Sequence, residues 1–488
     1  MKKRFLLVAI VLLILSLGCL CLPTGITPAS PSPTPYVNPT NTASPVNPII
    51  TVSPILEPTA NKPVELAAVG PWLLIETDQG LWAVNSDGSG LTQLTDVDYW
   101  DWMLQKAVQP GGKQVVFLSP ATYDFHQMAL NLLSLPDGNI TKITDLTSPQ
   151  TEAYAELAPG DDSFEGLRAV RDRHNYAWSP DGTRLAFVGL MDGPTAEIYL
   201  YDTISGEIQR VSTDDSQNYW PSWSPDGNSL LYFGASSFGT GAGFVTTDVW
   251  AARGDGTNVT KLFIPENGSE RLVGWLDATT AVLDTWTPVS ENEKLRLFDI
   301  TTTNTIMLSE DGIIAAEADP VRGAAMFAKT SGLYLLTAED RTPIRVSQEE
   351  VDWIYPVDSG EFFFSVQFTN GSLATFGISE MDHQVSPVET DSARLEVAMY
   401  ALIWGWTSED DSQPGVWITG PGIEIGQIYN SDARLPIWDE DNNLLFFAPV
   451  DGKGYDLYRT TFNSYYRDLT AVGFIDADVH VVTWIGGQ

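Results

Sequence analysis

The sequence predicts an all-β fold: a closed β-propeller of four-stranded antiparallel blades, eight favoured within a range of seven to nine, with the first blade closed by the C-terminal strand. Three observations carry that expectation. One phrase occurs twice in near copy, Asn175-Tyr-Ala-Trp178-Ser-Pro-Asp181-Gly182-Thr-Arg-Leu185-Ala-Phe187 and Tyr219-Trp-Pro-Ser-Trp223-Ser-Pro-Asp226-Gly227-Asn-Ser-Leu230-Leu-Tyr232. The seven-residue step from Trp178 to Leu185 recurs along the chain. The two ends of the repeated region each lack the strand that the other supplies.

Residues 1–18 read as a lipoprotein-type signal peptide: Lys2, Lys3 and Arg4, then the apolar run Phe5–Leu15, then Gly18 before Cys19. A basic start, a short apolar core and a small residue at the cleavage point mark a secretory signal. The run is short for a transmembrane helix. Gly18-Cys19 resembles a bacterial lipobox, in which the cysteine receives diacylglycerol, although Ser16 stands where that pattern prefers Leu. The expected location is therefore exported and membrane-anchored, on the outer side of the cytoplasmic membrane or at the cell surface. The membrane is met only through the N-terminal lipid. Cys19→Ser should abolish labelling by a palmitate analogue and release the protein from membranes; unchanged labelling would remove the lipoprotein reading.

Residues 19–65 read as a Pro/Ser/Thr-rich tether. Pro23 to Pro63 holds 11 of the chain's 31 prolines, and the first acidic residue is Glu57. Such a composition cannot bury a core and favours an extended, hydrated chain.

Residues 66–488 form the expected propeller. After each near copy of the phrase comes an alternating run (Glu197–Asp202; Asp248–Ala251), a polar turn and a short strand (Ile208–Val211; Val259–Leu262). Period-two alternation bounded by Pro, Asp and Gly signals four short strands in a meander. In the Pro-Asp-Gly turn, Pro presets φ, Asp caps locally and Gly accepts a positive φ. The step recurs from Val108 to Val115, Trp275 to Val282, Ala318 to Ala325, Tyr355 to Phe362 and Trp438 to Leu445. Segment 395–432 has strand-like pieces but lacks the turn. Trp72–Thr77 reads as a second strand with no first strand before it, while Ala477–Trp484 reads as a first strand with nothing after it. Pairing them would remove two exposed sheet edges.

Charge narrows the partners. The chain has 63 acidic and 26 basic residues, a net charge of -37, which repels nucleic acid and anionic headgroups. Its two cysteines, Cys19 and Cys21, both lie in the N-terminal segment, so the propeller has no disulfide and no thiolate chemistry. His126, His174, His383 and His480 are isolated in sequence, with no metal-ligand spacing. Asp439-Glu-Asp441-Asn-Asn443 opens like a calcium loop but has Leu444 where Gly is needed, and it occupies a turn slot. No metal or cofactor is expected. Gly234-Ala-Ser236 does not complete a nucleophile elbow.

The Trp-Ser-Pro-Asp-Gly copies, each followed by Leu-x-Phe/Tyr, resemble the TolB-type propeller repeats of bacterial exported proteins, with cousins in prolyl oligopeptidases and WD-type proteins. The resemblance is specific at Trp178–Phe187 and Trp223–Tyr232 and positional elsewhere. It implies a binding platform for a protein, peptide or glycan. The alternative is a carbohydrate-active enzyme, lyase or hydrolase, with its site on the loop-rich face. A convergent carboxylate pair in a deep pocket would favour the enzyme, and an apolar, aromatic rim the binder. The Pro-Asp-Gly turns are tight, whereas the opposite side carries long connections, including 145–172 and 234–247. Binding usually resides in such loops. The expected ligand face is Tyr123, Phe125, His126 and Tyr154, with Phe164, Arg168, Arg171 and Arg173 from the long crossing and Phe238 and Phe244 from the glycine-rich loop.

Overall fold

The computed structural model describes residues 65–96, 104–119, 127–152, 156–157, 161–172, 174–239, 243–265, 269–286, 294–310, 312–359, 362–370, 372–377, 383–387, 395–400, 403–408, 414–420, 423–439, 441, 443–450, 452–463 and 466–486. These residues form nine antiparallel sheets, eight of four strands and one of three.

The third sheet shows how the repeated phrase folds. Tyr176–Trp178, Arg184–Gly189, Glu197–Asp202 and Ile208–Arg210 pair in chain order, each strand against the next. Trp178 lies opposite Leu185. The turn between them is held by Ser179, whose hydroxyl donates to Asp181 at 2.6 Å and accepts from the Arg184 amide at 2.9 Å. Gly182 sits at φ +67°, a conformation that costs a side chain 1–2 kcal/mol or so. The fourth sheet, starting at Gln217–Trp223, repeats this with Ser224 and Asp226 at 2.6 Å.

The seven-residue step runs from the end of a first strand into the second at Trp178, Trp223, Trp275, Ala318 and Trp438 and matches the bridge at Val108, failing only at Tyr355; at four places its two ends are also direct register partners. Trp178↔Leu185, Trp223↔Leu230, Ala318↔Ala325 and the bridge Val108↔Val115 pair as expected. Trp275 pairs with Ala281 and Trp438 with Leu444, one residue early. In both cases the connection between the paired residues is one residue shorter than after Trp178; the bulge in the first strand lies on the far side of the pair from the turn. Tyr355 pairs with Ser365, because its strand runs on to Ser359 before turning.

Segment 395–432 is a complete sheet, Leu395–Tyr400, Ile403–Ser408, Gly415–Gly420 and Ile423–Tyr429, so the sheets number nine and not eight. Its first connection reads Ala401-Leu402, with none of the usual turn residues. The second sheet has three strands, and its first position is taken by a helical turn, α1 (Leu104–Ala107), followed by Val108. The long crossing contains a helix, α2 (Asp162–Arg171), which burial fixes in place: Phe164, Leu167 and Val170 face inward at three-residue spacing. The expected glycine-rich loop falls between the paired strands Ser229–Gly239 and Gly243–Arg253, whose register shifts after Gly234 and again before Phe238 and whose pairing reaches Gly239↔Gly243.

The last strand, Val479–Ile485, pairs antiparallel with Trp72–Thr77 and completes the first sheet. Hydrophobic cores lie between neighbouring sheets. Leu73, Ile75 and Val84 of the first sheet pack with Leu445, Phe447 and Leu457 of the ninth. Val416 and Ile418 of the eighth meet Trp438 and Phe446 of the ninth.

A hydrogen bond from tryptophan recurs between sheets. Trp223 Nε1 donates to the Ala177 carbonyl at 3.0 Å and Trp178 Nε1 to Ala107 at 2.9 Å. Trp484 Nε1 makes the same bond to Trp438, at 2.8 Å. Each such indole fills the gap between two sheets and satisfies its one donor on the neighbour's first strand.

Candidate functional site

The first elements of five consecutive sheets enclose a cavity of about 730 Å³. Its walls come from α1 and the residues after it, from Tyr176–Trp178, from Gln217–Trp223, from Ser269–Trp275, and from residues 313–316 leading into Ala315–Asp319. This volume falls in the range of small-ligand sites.

A bulge between Tyr219 and Ser222 aims Trp220 into the cavity. Trp220 has φ +53°, a conformation that a bulky residue holds only when its surroundings force it. The forces are visible. Its Nε1 donates to Asp172 at 2.6 Å, and its ring meets those of His174 edge-on at 5.4 Å and Tyr219 at 5.0 Å. Asp172 also accepts from the His174 amide at 2.9 Å and lies 3.3 Å from His174 Nδ1. Burial opposes the ionised form of Asp172, but the bonds from His174 and Trp220 outweigh it and hold the carboxyl below its usual range. The end of α2 positions the group, since the Asp172 amide donates to Ala169.

Across the cavity, Arg271 is ion-paired with Asp284, which is almost fully buried. Asp284 uses one carboxylate oxygen for Arg271, and its other oxygen has no hydrogen-bond partner among the described residues. Lys106 on α1 can be reached from the cavity yet is hemmed in by protein. Burial lowers its pKa, against the raising fields of Glu317 and Asp172. Glu317, on Ala315–Asp319, is pushed up to about 7 by burial, with Lys106 pulling the other way. The apolar part of the wall is Val108, Pro110, Leu272, Ile313 and Ile314.

Buried carboxylates elsewhere are spoken for. Glu197 is bound by Arg210 at 2.6 Å and by Ser212. Asp439, in the calcium-like segment, holds Arg459 at 2.9 Å and the Asn443 amide at 2.7 Å, which makes it the cap of a turn. Among the described residues, no three His, Cys, Asp or Glu side chains gather as a metal site.

The loop-face residues distribute differently. Cys19, Tyr123, Phe125, His126, Tyr154 and Arg173 lie outside the described residues. Phe164, Arg168 and Arg171 sit on α2, with Phe164 on its buried face and the Arg168 guanidinium 5.9 Å from its ring. Phe238 and Phe244 are register partners across the hairpin. None of these described residues lines the cavity. Sequence reading missed Lys106, His174, Trp220, Arg271, Asp284 and Glu317 as a group. One signal was available: Asn175-Tyr-Ala-Trp178 corresponds to Asn218-Tyr-Trp-Pro-Ser-Trp223, so two extra residues mark the bulge that carries Trp220.

No family profile matches the chain. Over 143 residues it is 29% identical to the Tol-Pal system protein TolB of Alcanivorax borkumensis, a match covering 28% of this chain and 32% of that protein. Over 127 residues it is 32% identical to the uncharacterized protein Atu1656 of Agrobacterium fabrum, covering 26% of this chain and 41% of that one. The chain thus spans less than half the length of these curated relatives. Among solved structures it is similar to TolB from Acinetobacter baumannii, with 17% identity, a TM-score of 0.30 and coverage of 56% of this chain and 64% of that one.

Proposed function

We propose that this chain, a TolB-like β-propeller protein, is an exported binding platform whose nine sheets close into a ring and whose ligand enters the cavity around Trp220. Ring closure is supported by the pairing of Val479–Ile485 with Trp72–Thr77 and by the Trp484–Trp438 bond, which repeats the link seen between interior sheets. The binding reading rests on one observation: an indole is turned into a 730 Å³ cavity through a left-handed backbone that only surrounding contacts sustain. Strain kept at a cavity wall is characteristic of functional sites.

The carboxylates around the cavity favour binding over hydrolysis or elimination. Asp284 is matched to Arg271, Asp172 to His174, and Glu317 to the field of Lys106. A glycosidase needs two carboxyl groups flanking one bond, free to exchange protons with it.

A glycan array and a random-peptide display library test the platform. Trp220→Gly is the useful variant, because glycine accepts φ +53° without strain. The wild type should capture ligands of one class, and Trp220→Gly should lose about tenfold or more of that affinity at an unchanged melting temperature. Capture that survives in Trp220→Gly but fails in Arg168→Ala would return the site to the loop face. Capture of nothing by the wild type would contradict the platform reading.

A further inference from the structure

We propose that the cavity takes a neutral, hydroxyl-rich oligosaccharide, laid with an apolar ring face on Trp220 and with hydroxyls against the Arg271–Asp284 pair. This inference rests on the cavity being the binding site, as argued above, and adds the chemical class of its occupant.

Charge balance comes first. The charged groups at the cavity already have neighbours of their own: Arg271 is ion-paired with Asp284, Asp172 lies 3.3 Å from His174 Nδ1, and Lys106 lies in the fields of Glu317 and Asp172. An anionic ligand would have to displace one of these partners, within a chain whose net charge is -37. A cationic ligand would meet carboxylates already matched. A neutral molecule disturbs neither.

The hydrogen-bonding groups point the same way. Asp284 lines the cavity wall as the acidic half of the pair, while its oxygen without a partner among the described residues is itself covered by protein. Arg271 stands beside it with donors to spare, since one NH2 group makes the recorded ion pair and a guanidinium carries five N–H bonds. Acceptor and donor side by side match a hydroxyl, which both gives and takes a proton.

Trp220 supplies the third part. Its N–H is committed to Asp172, so the indole offers the cavity a ring surface and no donor. Ile313 and Ile314 add apolar wall, with Ile314 half exposed. Sugar rings combine a C–H face with a hydroxyl rim, as this wall combines an aromatic face with a polar pair. A purely apolar ligand would strip water from the remaining N–H groups of Arg271 without replacing it.

Intrinsic tryptophan fluorescence tests the proposal with four probes: cellotetraose, tetra-N-acetylchitotetraose, tetragalacturonate and an acidic tetrapeptide. At least one neutral tetrasaccharide should change the emission saturably, with an affinity unmoved between low and high salt because no charge is being screened. Trp220→Gly and Asp284→Asn should each weaken it by about tenfold or more. Binding of tetragalacturonate or the peptide alone, dependent on Trp220, would overturn the ligand class and leave the cavity reading standing. A neutral saccharide bound equally well by Trp220→Gly would overturn both. Saturable binding by none of the four would overturn the oligosaccharide proposal.

Discussion

A chain truncated after Asp476 should fail to fold cooperatively. The lost segment contains Val479–Ile485, which pairs along the whole of Trp72–Thr77. It also buries Val479, Val482 and Ile485, and carries the Trp484 bond to the ninth sheet. Each buried aliphatic side chain contributes about 1.5–3 kcal/mol, so three of them alone amount to much of a 5–15 kcal/mol stability. The truncation also leaves Trp72–Thr77 with one unpaired edge, a template for aggregation. Denaturant melts and light scattering would show it: a broad, early transition and aggregated material. A truncated protein that kept the wild-type melting temperature and stayed monodisperse would show that the terminal strand is not structural.

Trp223→Ala should cost about 3–5 kcal/mol, the range for emptying an aromatic side chain from a packed site. The indole is buried between the third and fourth sheets and satisfies its N–H on Ala177. Trp223→Phe separates the two contributions. It keeps most of the packing and loses the hydrogen bond, so about 0.5–1.5 kcal/mol should go. A denaturant midpoint for Trp223→Ala within error of the wild type would mean that the intersheet tryptophans do not carry stability.

Architecture was more legible in the sequence than the site, for a physical reason. Turn chemistry is local. Ser179 and Asp181 act within five residues, so the Pro-Asp-Gly phrase locates a strand boundary unaided. At Trp275 and Trp438 the direct pairing comes one residue early, because the connection that follows is one residue shorter than the Pro-Asp-Gly turn. The eighth sheet was legible as strand-like pieces but not as a complete unit, because Ala401-Leu402 is not turn-like. Helix α2 was readable from Phe164, Leu167 and Val170, but the chain around it is otherwise strand and loop, and the crossing was taken as loop throughout. Asp439 reads from sequence as a turn residue, but its second partner, Arg459, lies twenty positions later and is not legible locally.

The cavity was illegible because its groups come from five sheets. Lys106 acquires its lowered pKa from burial, and Glu317, which opposes that effect, lies far along the chain. His174, isolated in sequence, meets Trp220 only because α2 ends at Arg171 and the fourth sheet bulges. Loop length pointed to the outer face instead, and there Phe164 proved to be holding α2 in place.

The central claim, that first strands of separate sheets enclose one cavity, is tested most directly at Glu317. Selective carbon-13 labelling of glutamate would follow its carboxyl through a pH titration. Burial should place the midpoint at about 7, against 4.5 for a glutamate in water. Lys106→Met, by removing the opposing cation, should raise it further. The sign for stability follows: the folded protein holds this proton more tightly than the unfolded chain, so the stability it contributes is full below pH 4.5 and is lost as pH rises through about 7. Partial exposure of Glu317 keeps the change below the roughly 3 kcal/mol that the displacement alone would give. A Glu317 midpoint near 4.5, indifferent to Lys106→Met, would mean that α1 and Ala315–Asp319 do not face each other and would contradict the described cavity geometry.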